Sequence, residues 1–282
     1  MQSIADQMLV VFCFVDDFLL AHPGQARWRT SNNARPEFTD AEVLTVALMQ
    51  GCFGCASLKQ THRLVAQNWR HLFPKLPGYQ QWLARLHQLA PLVGRLVPQA
   101  TQPLADTLYL IDSIDSKPIP VCKPVRHGRV RLLRDEGAYF GKNKAGWYFG
   151  FKLHLLAHHS GALLCAFVTP ANWDDRDVAV ALAQAVDGGT LLADLGYRDA
   201  KALEPLLWDE LDLLLVTPAH AGQKHRALVS SVRERIETCF SGLWSRFVDR
   251  VFSRSFHGLW NTIKLKMLHY NLCQAGVLPR PT

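Results

Sequence analysis

The sequence contains no uninterrupted apolar run approaching the roughly 20 residues that a membrane-spanning helix needs. Residues 8–20 are mostly apolar, but Asp16 and Asp17 interrupt them, and no basic segment precedes them as in a secretory signal. Internal repeats and low-complexity segments are also missing. We therefore expect a soluble, intracellular protein that has no membrane partner.

Cysteine is present, but not in a bonding pattern. The seven cysteines are odd in number and scattered through apolar surroundings, which is typical of reduced thiols and not of a disulfide framework. Cys52 and Cys55 form a C-x-x-C pair with no second pair to complete a zinc site. The sequence thus favours buried thiols at a helix end over a structural zinc.

Composition and charge set broad limits. The chain has 282 residues, of which 49% are hydrophobic and 20% charged, so it is long enough for one large domain or two small ones. The formal net charge is +7, which favours polyanionic partners without fixing a fold.

Residues 1–104 show helical patterns. Thr39 and Glu42 fit a capping box, and Ser57 is placed to cap a second helix. A further helix is predicted over residues 80–90, ending before Pro91. Several short helices with basic residues predict a helix-turn-helix-like DNA-binding domain. The alternative is a plain helical bundle with a solvated basic face.

Residues 105–282 have a different texture, with Pro103 marking the boundary. Strands alternate with helices after an initial run of strands, which predicts a mixed α/β sheet followed by C-terminal helices. The predicted strands cover residues 108–115, 118–122, 149–158, 163–169, 190–193 and 211–216, and the predicted helices cover 174–186, 199–208 and much of the chain from 227 onward. The segment 118–122 is assigned to a sheet edge because proline is tolerated there.

Three acidic residues, two at the ends of apolar runs and one on a predicted helix, are candidates for binding a cation. Asp115 and Asp194 each close an apolar run, and Glu237 lies on a predicted helix. A buried carboxylate is costly unless it meets a cation, so these three are candidate ligands of Mg²⁺ or Mn²⁺ in phosphoryl transfer. Asp112 competes with Asp115, and strand alternation puts the two on opposite faces. The spacing to the segment 118–122 favours Asp115.

Four local motifs resemble those of DDE transposases of bacterial insertion sequences. Residues 109–122 are similar to the first catalytic strand, and 141–154 to the turn rich in glycine and lysine that follows it. Residues 192–197 are similar to the segment with the second aspartate, and 233–240 to the segment with the glutamate. The motifs occur in the family's order, and the insertion-sequence family 982 is the most similar one that we can name.

The resemblance implies a specific fold and activity. It implies an RNase H-like mixed sheet flanked by helices, with Asp115, Asp194 and Glu237 as the catalytic, metal-binding triad. Two Mg²⁺ or Mn²⁺ ions would support cleavage of transposon ends, after which the freed 3′-hydroxyl attacks target DNA. The implied partners are double-stranded DNA and a second copy in an active homodimer. The implied location is the bacterial cytoplasm, at the nucleoid when DNA is bound.

Two positions depart from the family pattern. Ser230 stands where related transposases often have tyrosine, and Trp244 where they have lysine, whereas Arg233 and Glu237 are retained. The resemblance implies that Arg233 contacts a DNA phosphate, and a surface ion pair with Glu237 at i, i+4 spacing is the alternative. The departures leave open a catalytically inactive DNA-binding protein on the same fold, and a metal nuclease without strand transfer is a third reading.

The segment 117–152 is strongly basic. It holds nine Lys and Arg residues and two acidic ones, with aromatic residues among them. We expect part of it to follow a DNA backbone, because cations neutralise phosphates and aromatic rings stack on exposed bases; a solvated loop is the alternative. The residues assigned to DNA binding are Arg126, Arg129, Arg131, Lys142, Lys144 and Lys152. Nearby, Asp174, Asp175 and Asp177 are predicted to cap a helix, and His154 and His158 to be ordinary strand residues.

Overall fold

The computed structural model describes residues 2–23, 36–101, 111–199, 201–218 and 226–280, with the side chains of 226–233 excepted. The chain divides into two compact units. The first comprises Met1–Ala100 and His257–Thr282, and the second comprises Thr101–Phe256. None of the helices in these described ranges has the length and apolar character of a membrane span.

Helices make up the elements described for the first unit. They are α1 (Ile4–Ala21), α2 (Asp40–Cys52), α3 (Leu58–Asn68), α4 (Tyr79–Gln88), α5 (Ala90–Thr101) and α9 (Phe256–Gln274), the last two each reaching one residue past the unit. The predicted capping box of Thr39 and Glu42 is confirmed at the start of α2, as is the Ser57 cap of α3. A second capping box, between Ser3 and Asp6, starts α1.

The prediction of a single helix over residues 80–90 is wrong at its end. The structure has α4, then a second helix, α5, in which Pro91 is the second residue. A proline fits the first turn of a helix because its missing N–H would have no partner there. Pro91 therefore belongs to the beginning of a helix that the prediction omitted.

Helix α9 packs with the first unit, whereas the sequence placed it with residues 105–282. Lys264 Nζ donates to the Ala90 carbonyl at 2.8 Å, and Cys52 Sγ lies 3.5 Å from His269 Nε2. The predicted boundary near Pro103 falls close to the division at Thr101, but the last 26 residues group with the first unit.

The second unit is built on a six-stranded mixed sheet. Its strands are β1 (Ile111–Cys122), β2 (Tyr139–Asn143), β3 (Gly146–His158), β4 (Leu163–Pro170), β5 (Gly189–Leu192) and β6 (Leu213–Val216). The strand β3 pairs antiparallel with β1 on one edge and with β2 and β4 on the other. Strands β1, β5 and β6 are parallel neighbours. The predicted mixed α/β sheet is confirmed.

Strand β1 is one continuous element where the sequence predicted two. Its pairing with β3 runs from Asp112 to Cys122, with an irregularity between Pro120 and Cys122. The pairing with β5 covers only Ile111–Ser113, so among the described strands the rest of β1 has no neighbour on that side and tolerates its prolines. Gly150 of β3 is required opposite the irregularity, because a Cβ there would collide with the β1 backbone. The part of the prediction at residues 108–110 lies outside the described residues.

Helices cover the sheet. Ile114 and Leu156 contribute to a buried cluster with residues of α6 (Asp175–Ala183) and α7 (Leu203–Leu211). Helix α8 (Arg226–Trp244) packs against β1, β3 and β5, and its buried Phe240 lies under Lys117. Since Ile114 and Lys117 alternate along β1, α8 lies on the opposite face from α6. The predicted helices at 174–186 and 199–208 are confirmed with shifted ends.

Candidate active site

The first two predicted ligands meet where β1 and β5 part. The last paired residues are Ser113 of β1 and Leu192 of β5, so two further steps along each strand lead to Asp115 and Asp194. The carboxyl ends of parallel strands meet at the same edge of a sheet, and the chain after β5 turns away there. The fold thus brings two carboxylates that are distant in sequence to one point.

Asp115 is half-buried, and its surroundings disfavour the negative charge of its carboxylate. Its Oδ1 accepts a 2.7 Å hydrogen bond from the backbone N–H of Ser116. Its pKa is raised to about 6, mainly by burial and to a lesser extent by the negative charges of Asp194 and Asp175, whereas the Ser116 N–H and Lys117 act in the opposite direction. A carboxylate surrounded in this way is stabilised by a cation.

Asp194 is held by the turn that follows it. It precedes a single turn of 3₁₀ helix, Leu195–Tyr197, and its Oδ1 accepts a 2.8 Å hydrogen bond from the backbone N–H of Gly196. This bond fixes the side chain beside the end of β5. Asp194 is half-exposed, so it remains accessible to a ligand from solvent.

Asp112, the competitor of Asp115, has different surroundings. It is 2% exposed, its Oδ1 has no hydrogen-bond partner, and burial alone raises its pKa to about 6. The charge of Asp194 acts on Asp115, and no such influence accompanies the pKa of Asp112. Asp112 and Asp115 thus have the different surroundings that strand alternation predicts, and the choice of Asp115 as the first ligand stays a prediction.

Glu237 lies on α8, on the sheet face to which Asp115 points. Lys117 Nζ is 4.9 Å from the centre of the Phe240 ring, which brings the helix close to β1 less than one turn beyond Glu237. The Glu237 side chain is exposed. Over the described part of the chain, no three His, Cys, Asp or Glu side chains converge as a metal-binding group. The structure brings Asp115 and Asp194 together and leaves Glu237 apart on the adjacent helix.

A polar network that the sequence did not predict adjoins the pair. Asp175, expected only to cap α6, accepts 2.7 Å and 2.8 Å hydrogen bonds from Lys152 Nζ and Ser116 Oγ. His154 Nδ1 lies 3.9 Å from Asp175, and burial lowers the pKa of His154 to about 4. The sequence contained one sign of this network. Lys152 lies between the apolar residues Phe151 and Leu153 of a strand, where a lysine needs a buried partner.

Tyr197 closes this network from the 3₁₀ turn. It is 1% exposed, and burial together with the charges of Asp175, Asp115 and Asp194 raises its pKa well above the usual range. Its hydroxyl lies close enough to Ser116 to be influenced by it, but not in hydrogen-bonding geometry. A buried hydroxyl with a free hydrogen-bonding capacity therefore stands beside three carboxylates.

The residues assigned to DNA binding have two kinds of position. Five have exposed side chains on the loop after β1 and on the β2–β3 hairpin, namely Arg126, Arg129, Arg131, Lys142 and Lys144. Lys142 Nζ is 5.8 Å from the ring centre of Trp147, its exposed cross-strand neighbour. Lys152 is instead 18% exposed and bound to Asp175 and to the Trp173 carbonyl. Arg233 lies within α8, and its side chain is outside the described residues.

The pair of carboxylates fits a hard divalent cation. Mg²⁺ usually takes one or two carboxylates from a protein and completes its octahedron with water and phosphate oxygens. Asp115 and Asp194 supply that number at an accessible edge of the sheet, and their mutual repulsion is what a cation would relieve. The donor set contains no sulfur or imidazole that would favour a softer metal.

The comparison with family models gives one match. Residues 106–240 match the family described as the transposase DDE domain. The matched range contains β1 to β6 and α8 as far as Phe240, and with them Asp115, Asp194 and Glu237. The match supports a DDE-type transposase that acts on DNA. No curated protein and no solved structure gave a significant match to the chain.

Proposed function

We propose that the protein is a transposase that cleaves the ends of its own DNA element and joins the freed 3′-hydroxyl to target DNA. The proposed catalytic residues are Asp115, Asp194 and Glu237. The single observation that carries the proposal is the meeting of Asp115 and Asp194 at the parting of β1 and β5, within the region that matches the transposase DDE domain.

Asp115 and Asp194 would hold Mg²⁺ or Mn²⁺, with Glu237 as the third ligand. Two bound ions supply activation of the attacking oxygen and stabilisation of the leaving oxygen. The protein's part is to keep both aspartates ionised and oriented. The Ser116 N–H and the Gly196 N–H each hold one carboxylate oxygen, which leaves the second oxygen of each residue for a ligand.

The proposed chemistry consists of two in-line displacements at phosphorus. In the first, a water oxygen bonds to the phosphorus at the transposon end, the bond to the 3′-oxygen breaks, and that oxygen leaves as a hydroxyl. In the second, this hydroxyl loses its proton and bonds to a target phosphorus, and a target 3′-oxygen leaves. Each bond formed replaces one bond broken, so no oxidant, reductant or nucleotide is consumed.

In the proposed function, Glu237 moves toward the pair when cation and DNA bind. It stands on α8, the helix that packs on the Asp115 face of β1, and its flank is solvent-exposed. This movement is assigned to α8, because Asp115 and Asp194 are each held by a backbone N–H at the ends of paired strands.

The exposed cations around β2 are proposed to bind the DNA backbone. Arg126, Arg129, Arg131, Lys142 and Lys144 are free of the internal network that engages Lys152. Cations of this kind position a duplex without reading its sequence. Arg233 is proposed to contact a phosphate near Glu237. Ser230 and Trp244 remain unlike the family pattern, and Trp244 packs edge-on against Phe240 with the ring centres 5.6 Å apart.

The remaining parts of the proposal rest on the resemblance. We infer an RNase H-like sheet from the three antiparallel strands β1, β3 and β4 and the two parallel strands beyond β1. The helices of the first unit are proposed to bind transposon ends. A homodimer at work, the bacterial nucleoid as its location and membership of insertion-sequence family 982 complete the proposal.

The test is a Mg²⁺-dependent assay of end nicking and strand transfer on DNA carrying the element's termini. Asp115→Ala and Asp194→Ala should reduce both products to the level seen without metal, while DNA binding in EDTA is retained. Asp209→Ala, on the exposed side of α7, is the matched control and should leave both products unchanged. Full strand transfer by Asp194→Ala would refute the site. Cleavage without joined products would identify a nuclease instead.

A further inference from the structure

The first turn of α6 contacts both segments that carry the aspartate pair. Helix α6 packs against β1 and against the 3₁₀ turn Leu195–Tyr197 that follows Asp194. Ser116 Oγ, on β1, donates to Asp175 Oδ2 at 2.8 Å. Arg176 Nη1, next along the helix, lies 3.8 Å from Asp199 Oδ2, just beyond the 3₁₀ turn. One helical turn therefore links the two strand ends.

Asp175 is held from a second direction. Its Oδ1 accepts a 2.7 Å hydrogen bond from Lys152 Nζ on β3, and the same ammonium donates at 2.7 Å to the Trp173 carbonyl before α6. Lys152 and Ser116 lie on adjacent strands and on the same sheet face. Both carboxylate oxygens of Asp175 are thus occupied, and its side chain is 31% exposed. Such a carboxylate is used for internal structure and not for a ligand from solvent.

The connection to the catalytic pair runs through Ser116. Its hydroxyl is bound to Asp175, and its backbone N–H donates to Asp115 Oδ1 at 2.7 Å. Fixing the Ser116 side chain therefore fixes the peptide group that orients Asp115. Tyr197, three residues after Asp194, places its buried hydroxyl next to the same serine. Ser116 is therefore close both to Asp115, on β1, and to Tyr197, in the turn that follows Asp194.

We propose that Asp175, clamped by Lys152 and Ser116, is a positioning residue that sets the spacing and orientation of Asp115 relative to Asp194. This inference rests on the proposed function, because it assigns the network to the same divalent-cation site. Carboxylates one shell away from a metal orient its ligands, and their loss typically weakens metal binding by about 10- to 100-fold. Asp175 touches neither the ion nor DNA in this scheme.

The first experiment measures Mn²⁺ binding directly, from the electron paramagnetic resonance signal of the free ion during titration of the full-length protein. Asp175→Asn keeps the shape of the side chain but removes the charge that holds Lys152. We expect its Mn²⁺ affinity to fall by about 10- to 100-fold. DNA binding in EDTA should stay unchanged. The matched control is Asp174→Asn, one residue earlier, where asparagine is an equally good helix cap and affinity should remain at the wild-type value.

A second pair of variants keeps the test valid if Asp175→Asn folds poorly. Ser116→Ala removes the hydroxyl that binds Asp175 and leaves the ion pair with Lys152 intact, and Ser116→Thr restores a hydroxyl at the same position. We expect weakened Mn²⁺ affinity in the alanine variant and recovery in the threonine variant. A purely structural role would give equal affinities in both.

The outcomes separate the inference from the proposed function. Wild-type affinity in Asp175→Asn and Ser116→Ala, combined with lost binding in Asp194→Ala, would overturn the positioning role and leave the site standing. Equal Mn²⁺ affinity in wild type and Asp194→Ala would overturn the proposed site itself, and the positioning role with it. Loss of affinity in Asp174→Asn as large as in Asp175→Asn would also contradict the inference, because it would reflect only the charge of the helix start.

Discussion

The two halves of β1 differ in almost every property. The first half, residues 111–116, begins between β5 and β3, and its carboxyl groups Asp112 and Asp115 have pKa values raised to about 6 by burial. The second half, residues 117–122, pairs with β3 alone and contains Lys117 and two prolines. It leads into the exposed basic loop.

The difference shows how one strand can serve two partners. Burial desolvates the carboxylates of the first half, of which only residues 111–113 have a partner strand on both sides, and a desolvated carboxylate is stabilised by a cation. The second half pairs on one side only, is mostly half-buried, and continues into an exposed basic loop of the kind that attracts polyanions. In the proposed function, the first half contributes Asp115 to the metal site, and the second half leads into the loop whose cations contact the DNA backbone.

The largest expected effect concerns the third ligand. Glu237→Gln should reduce strand transfer to the metal-free level, because it removes the one proposed carboxylate that does not come from the sheet. A Mg²⁺-dependent strand-transfer assay measures this. Glu234→Gln, exposed on the same helix, is the control and should retain activity.

If Glu237→Gln is as active as Glu234→Gln, the metal site consists of Asp115 and Asp194 alone, and α8 supplies no ligand. That result would also remove the rearrangement of α8 from the proposed function.

An intermediate effect is expected on stability at Asp112. Its pKa in the folded state, about 6, lies above the ordinary aspartate value of 3.8, so the folded state binds the proton more tightly. Asp112 therefore lowers stability as pH rises from about 4 to 6, and the penalty persists above that range. At about 1.4 kcal/mol per pKa unit, its upper limit is about 3 kcal/mol. Asp112→Asn should be more stable than wild type by about 1–3 kcal/mol at pH 7.5 and nearly equal to it at pH 4.

Urea unfolding followed by tryptophan fluorescence at the two pH values measures this difference. Cleavage should be preserved in Asp112→Asn. If cleavage is lost while the protein stays folded, Asp112 is the first ligand and the assignment of Asp115 is wrong.

The smallest expected effect is on DNA affinity, at the exposed β2–β3 hairpin. Lys144→Ala, at the exposed hairpin tip, should weaken DNA binding severalfold without sequence dependence and lower the slope of log affinity against log salt by about 0.9. Fluorescence anisotropy with labelled duplex DNA between about 50 and 200 mM salt measures both quantities. An unchanged slope would assign Lys144 to solvent. Asn143→Ala at the adjacent position, which removes no charge, is the control.

Much of the second unit could be predicted from the sequence because its signals are local. Alternation and turn residues located β3, β4, β5 and β6 to within a few residues, and apolar runs ending in Asp115 and Asp194 pointed to one edge of the sheet. The role of Asp175 could not be predicted, since it depends on contacts with residues 59 and 23 positions away. In local sequence, an aspartate at the start of a helix is only a cap.

Two further errors have the same physical origin. Proline was read as a terminator at Pro91 and as the mark of a separate strand at Pro118, whereas one begins a helix and the other lies within a continuous strand. Both positions are decided by whether a backbone N–H is needed there, which depends on tertiary neighbours. The placement of α9 with the first unit also depends on long-range packing that no periodicity reports.

The prolines of β1 have a protective consequence. From Ile114 onward, the side of β1 that faces away from β3 has no partner strand among the described elements, so its backbone is open to pairing with a strand from another molecule. Pro118 and Pro120 have no N–H to donate to such a strand, and the charge of Lys117 also disfavours strand pairing. Pro118 and Pro120, which led the sequence analysis to divide β1 into two strands, therefore disfavour self-association of the folded chain through this edge.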